Sequence, residues 1–145
     1  MPDRSFRRLL SESLPALRDE CPPAHLAMQR ALEGVAIAVC FDGDRFTLAV
    51  QRGALRIDDA QGDSGVEAVT SRDAVLDLVA GRLTLAQAVE QDRLQLRGSV
   101  DDLLRLHDGL IAYVAGAVRS PSFPGLLERF RHAGRGESPL EQDIP

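Results

Sequence analysis

The side chains able to do chemistry in this sequence are few and scattered. His25, His107 and His132 stand far apart and share none of the short spacings, such as H-x3-H or C-x2-C, through which zinc is held. His107 falls on a helical stretch at the edge of an apolar stripe, where a structural or surface role is the ordinary one. Cys40 lies inside an apolar run with no histidine near it in sequence, and a buried strand thiol is inert. With Cys21 it makes a single pair, too few for a disulfide framework. Asp42, Asp44, Asp58, Asp59 and Asp63 miss the spacing of an EF-hand loop and read as turn aspartates. Gly43, Gly53, Gly62 and Gly65 fall between strands, and none opens a helix as a phosphate cradle does. The sequence therefore assigns no catalytic residue, no metal ligand and no cofactor.

The totals narrow the remaining classes. A chain of 145 residues, 44% apolar and 27% charged, is long enough for one self-sufficient core. With five Phe, one Tyr and no Trp, that core must be aliphatic. A net charge of −5 argues against nucleic acid, whose binding needs clustered positive charge. Arg4, Arg7 and Arg8 make a short basic start that reads as a solvated helix face. The first 20 residues contain no secretory leader pattern, and no run approaches the ~18 apolar residues of a membrane span. A cytoplasmic protein without stable membrane insertion is expected.

The elements follow from periodicity. Phe6, Leu9, Leu10, Leu14 and Leu17 form one face of a helix that Pro15 should bend or end. A second helix is predicted from about Pro23 to Glu33, stopping at Gly34. Val35–Phe41 reads as a central strand, Asp42-Gly43 as a hairpin turn, and Phe46, Leu48 and Val50 as alternate residues of the next strand. Leu55 and Ile57 mark a third strand beyond Gly53, and Val66–Val69 a fourth after the polar loop from Asp58 to Gly65. Strands joined this closely should be antiparallel.

Ser71 caps a helix carrying Val75, Leu76 and Val79, and Thr84 with Gln87 has the form of a capping box. Leu85, Ala88 and Val89 would face inward on that short helix, and Leu94 and Leu96 give a fifth strand ending at Gly98. Ser99 caps the longest helix, striped with Leu103, Leu106, Leu110 and Val114. A short helix from about Pro124 to Phe130 follows, then a loose tail from Gly134.

The segment LDLVAGRLTLAQAVEQDRLQLRGS, Leu76 to Ser99, resembles the signature half of the sterol carrier protein 2 family. Gly81 and Leu83 fit that family's glycine and leucine, Ala88 its helix alanine, and Leu94, Leu96 and Gly98 its closing strand. The hairpins at Asp42-Gly43 and Arg52-Gly53 extend the likeness to about Gly34–Arg119. Two positions depart: the family often carries an aromatic at Val89, whose loss would reshape the end of a cavity, and usually a glycine at Asp92, whose loss alters only a turn.

The resemblance implies an α+β fold: a five-stranded, mainly antiparallel sheet with helices on one face around an apolar cavity. It is that of a bacterial stand-alone domain, one unit over 1–145, with a helical lead-in (1–33), a core (34–119) and a C-terminal helix and tail (120–145). Such a fold holds a hydrophobic small molecule or lipid (a sterol or fatty acyl chain) as a carrier or as accessory to a pathway enzyme, with a homodimer as a further possibility. The expected lining is Phe46, Leu48, Leu76, Val79, Leu83, Leu85, Val89, Leu103, Leu106, Leu110 and Phe123. Two alternatives stand beside this reading. The same cavity in a small enzyme of secondary metabolism would convert a hydrophobic intermediate, and the same aliphatic side chains also suffice for a dry core.

Overall fold

The computed structural model describes residues 4–59 and 64–136. Two helices lead, α1 (Ser5–Glu20) and α2 (Pro22–Leu32). α1 continues through Pro15 instead of ending there. Pro15 is exposed, so the carbonyl it leaves unbonded faces water, while Leu9, Leu10, Leu14 and Leu17 stay buried on both sides of it. Continuous packing of that face outweighs the roughly 3 kcal/mol that an interior proline costs. The break comes at Cys21, whose extended φ of −142° is what a residue before proline adopts.

Five strands form one sheet: β1 (Ala36–Phe41), β2 (Asp44–Gln51), β3 (Ala54–Asp59), β4 (Val66–Thr70) and β5 (Gln95–Gly98), in the order β3-β2-β1-β4-β5. The first two turns have two residues each, Asp42-Gly43 and Arg52-Gly53, all with positive φ (46°, 91°, 54° and 78°). This is the turn whose twist suits a tight hairpin.

One expectation fails. β4 pairs with β1 in parallel, Val39 opposite Ala68, where the close joins between the first four strands predicted antiparallel pairing; the sheet as a whole is mainly antiparallel, as expected. β2 already occupies one edge of β1, so β4 takes the other, and it runs the same way as β3 before it. The seven peptide steps from Asp59 to Val66 reach at most about 25 Å, and three strand spacings need only about 14 Å. A helix-bearing crossover is therefore unnecessary. Residues 60–63 of the predicted loop lie outside the described residues, and Asp58 and Asp59 belong to β3.

The remaining helices are α3 (Arg72–Val79), α4 (Leu85–Glu90), α5 (Val100–Ala117) and α6 (Phe123–Gly136). The predicted caps are in place. Ser71 accepts from the Ala74 amide at 3.3 Å, and Ser99 accepts from the Asp102 amide at 3.1 Å. Both halves of the Thr84–Gln87 box are formed, at 3.0 and 3.1 Å. α6 runs well past the predicted Phe130, through the start of the expected tail, and residues 137–145 lie outside the described residues. Glu128 pairs with Arg131 and His132 one turn on (3.2 and 2.7 Å), and Arg129 reaches Glu12 of α1 at 3.3 Å. These contacts support the added turns.

α5 lies close against the first two helices because two of its residues have no side chain. A Cβ at Gly109 would stand 2.7 Å from Leu32 Cγ, and one at Gly116 would stand 2.7 Å from Ala24 Cβ. The end of α1 is tied to the start of α6 through Glu20, which accepts from the Ser120 and Ser122 hydroxyls and from the Ser122 amide at 3.0 Å. Those bonds, Ser120 first, hold the Glu20 carboxyl below its ordinary 4.5. A depressed folded-state value adds stability above the unfolded pKa and loses it as pH falls through the folded one. Glu20→Gln is therefore expected to flatten the fall in urea midpoint below about pH 4.5. An acid limb as steep as wild type would contradict this role.

Candidate ligand cavity

A cavity of about 360 Å³ opens between the inner face of β1–β3 and the helices. Its floor is Ile37, Leu48 and Leu55, one residue from each strand. Ile37 and Leu48 are register partners, so the hairpin pairing sets them side by side. On β2, Phe46 and Val50 are closed over (0% and 1% exposed), but Leu48 between them is only half-buried, because the helices leave a gap there. Phe6, Leu10 and Leu14 of α1 and Met28 and Leu32 of α2 form one wall. Val75, Leu78 and Val79 of α3, with Leu83, Thr84 and Leu85 at the start of α4, form another. Leu106, Leu110, Tyr113 and Val114 of α5 complete it, and exposed Gly81, Thr84 and Ile111 mark its mouth.

Leu48, Val79, Leu83, Leu85, Leu106 and Leu110 of the expected lining thus stand on this cavity. The other five do not. Phe46 is one layer behind Phe6, its ring 6.1 Å from that of Phe6 and its other neighbour the Arg7 guanidinium at 5.1 Å. Leu76 points off the α3 face that carries Val75, Leu78 and Val79 and packs against the core from the side. Leu103 shares the Leu106 side of α5 but lies a turn nearer its start, beyond the cavity. Val89, a turn past Leu85, is 44% exposed, so the missing aromatic there does not reshape the cavity. Phe123 is held edge-on behind Tyr113, with ring centroids 6.2 Å apart.

The expected lining held no residue of α1 or α2, and it also omitted Ile37, Leu55, Val75, Leu78, Tyr113 and Val114. The apolar face of α1 was visible in the sequence, and asking what that face covers would have found Phe6, Leu10 and Leu14.

Polar groups at the cavity are sparse. Thr84 sits at the rim, and the Tyr113 hydroxyl is 2.7 Å from Ser13 Oγ across the α1–α5 contact. Burial pushes the Tyr113 phenol up to about 12, so it stays neutral. Cys40 lies on the opposite face of β1, half-buried and free, and Cys21 is free at the α1–α2 break. His25 is held below its ordinary 6.5 by burial and then by Arg18, away from the cavity. His107 is exposed beside Asp108. Among the described residues no three His, Cys, Asp or Glu side chains gather to hold a metal ion, and no helix is long and apolar enough to cross a membrane. A second hollow of about 630 Å³ between α1 and α6 is an open trough bridged by the Glu12–Arg129 ion pair, without an enclosing apolar wall.

No family model and no curated protein sequence matches the chain. Solved structures do. A ubiquinone synthesis protein, UbiJ-SCP2, superposes with a TM-score of 0.57 at 16% identity, over 80% of this chain and 95% of its own. The sterol carrier protein domain 2 of Helicoverpa armigera gives 0.55 at 14% identity, over 72% and 88%. A crystal structure of sterol carrier protein 2 gives 0.51 at 12% identity, over 75% and 92%. The chain has the sterol carrier protein 2 fold. In this example of the fold, the position where the sequence pattern calls for glycine is Asp92, with a φ of 58°, the left-handed region that glycine enters without strain.

Proposed function

We propose that this protein holds one apolar small molecule or lipid chain and presents it to an enzyme of a biosynthetic pathway. The observation that carries this reading is the cavity of about 360 Å³ walled by aliphatic side chains from every layer of the fold. Its size lies at the small end of the ~300–1,000 Å³ usual for ligand pockets, which suits a single chain or one ring system. Burying about ten methylenes yields roughly 8 kcal/mol gross, before the losses of binding. The lining favours binding over conversion, since among the described residues Thr84 and Tyr113 are its only polar side chains and neither is hydrogen-bonded to an acid or base. That structural relatives are sterol carrier proteins and a ubiquinone synthesis protein supports an apolar ligand and, from the latter, an accessory role.

Presentation to a partner is supported by α5. Val100, Leu104, Ile111 and Val118 are 73%, 58%, 50% and 67% exposed along one stripe, and Ile111 belongs to both that stripe and the cavity mouth. A protein docked on the stripe would meet the ligand as it leaves. Native mass spectrometry of the full chain, purified without denaturation, is expected to show a retained hydrophobic mass. After its removal, a fluorescent fatty-acid probe should bind one to one. An empty protein that also fails to take up the probe would sink the carrier reading.

A further inference from the structure

The one buried hydroxyl pair at the cavity has a proton to spare. Ser13 and Tyr113 are 2% and 9% exposed, and their oxygens are 2.7 Å apart. Two hydroxyls bring two O–H donors, and the bond between them uses one. Ser11, on the same helix, donates back to the Arg7 carbonyl at 2.9 Å, but Ser13 makes no such bond. Among the described residues neither hydroxyl has another hydrogen-bonding partner. A buried donor left without an acceptor is costly. Tyr113 lines the cavity and Ser13 does not. The order that leaves the spare proton facing the cavity is therefore Ser13 donating to the phenolic oxygen and Tyr113 donating inward. A donation from Ser13 also strengthens the phenol as a donor.

We propose that Tyr113 is the polar recognition point of the cavity, and that the ligand is a neutral apolar molecule carrying a hydrogen-bond-accepting oxygen, such as a ketone, ester or ether, within its buried part. This rests on the carrier reading and narrows its ligand class. A carboxylate does not fit that position, because among the described residues the lining holds no Arg, Lys or His to compensate a buried charge. An acid group must stay at the mouth.

The test uses two probes of equal heavy-atom count, hexyl methyl ketone and n-nonane, each titrated into the wild-type chain and into Tyr113→Phe. The ketone is expected to lose about tenfold in affinity in the variant, which is the size of one net hydrogen bond. The nonane affinity should hold within about twofold. Measuring the ratio of the two changes removes any effect of the substitution on cavity shape or folding. Ser13→Ala, which removes the group orienting the phenol, is expected to cost the ketone about threefold with nonane unchanged. It keeps the inference testable if the phenylalanine variant does not fold. Equal factors for both probes in these variants overturn the role of Tyr113 and leave the carrier reading standing. Wild-type protein that binds neither probe overturns the carrier reading and this inference with it.

Discussion

Leu106→Trp is expected to abolish binding of a fluorescent fatty-acid probe while leaving the thermal midpoint nearly unchanged. Leu106 is 4% exposed, so by accessibility alone it belongs to the core. It nevertheless borders the 360 Å³ space, and an indole at this position has room to grow into. In a close-packed interior the same enlargement costs ~1–3 kcal/mol. For a domain of about 150 residues, each kcal/mol lowers the midpoint by roughly 2–4 °C. The two outcomes are therefore separable in one scan.

The same helix supplies the control. Gly116→Val and Gly116→Leu drive a side chain into Leu17 and Ala24, neither of which borders the cavity, so they should lose stability in the way Leu106→Trp does not. A tryptophan variant that melts as early as these, in a protein whose wild type takes up no probe, would mean that the cavity is closed in solution.

What the sequence made legible was local. The caps at Ser71, Thr84 and Ser99 and the hairpin turns at Gly43 and Gly53 depend on residues within a few positions of each other, and each is formed as read. The inward residues of β2 followed from alternation for the same reason. The parallel seat of β4 was not legible, because it depends on which edge of β1 remains free once β2 and β3 have paired. The cavity was legible only in part. Periodicity identifies the apolar side of α5 but not the level along it at which neighbouring helices part, so Leu106 and Leu110 border the cavity and Leu103 does not. Val89 lies off the cavity because the second turn of the six-residue α4 buries Ala88 and leaves Val89 44% exposed. Tyr113 carried no signal as a lone aromatic. Its significance comes from Ser13, a hundred residues earlier in the chain.

Arg7 shows the same limit most sharply, and replacing it is expected to be the most destabilising single change considered. In sequence it belongs to a basic start that reads as solvated. In the fold its guanidinium donates to both oxygens of Asp44 (2.8 and 3.3 Å), to Asp59 at 2.7 Å and to the Arg45 carbonyl at 3.1 Å. It also lies 5.1 Å from the centre of the Phe46 ring. The Asp44 side chain is 3% exposed, and Arg7 is its cationic partner. Arg7→Met keeps the packing volume over Phe46 but leaves a buried carboxylate uncompensated, a loss of ~3–5 kcal/mol. A protein of this size has about 5–15 kcal/mol in all.

Two further variants separate charge from shape in urea titrations. Adding Asp44→Asn to Arg7→Met should recover a substantial part of the loss, because the stranded charge is gone. Arg7→Lys should fall between, since one ammonium cannot reproduce the fork. Arg7→Met with a midpoint near wild type would show that water reaches Asp44. The consequence extends to the cavity, because Arg7 anchors the first turns of α1, and Phe6 and Leu10 on those turns form part of its wall. Loosening that anchor should therefore weaken probe binding at temperatures where the sheet is still intact, so that binding fails before folding does.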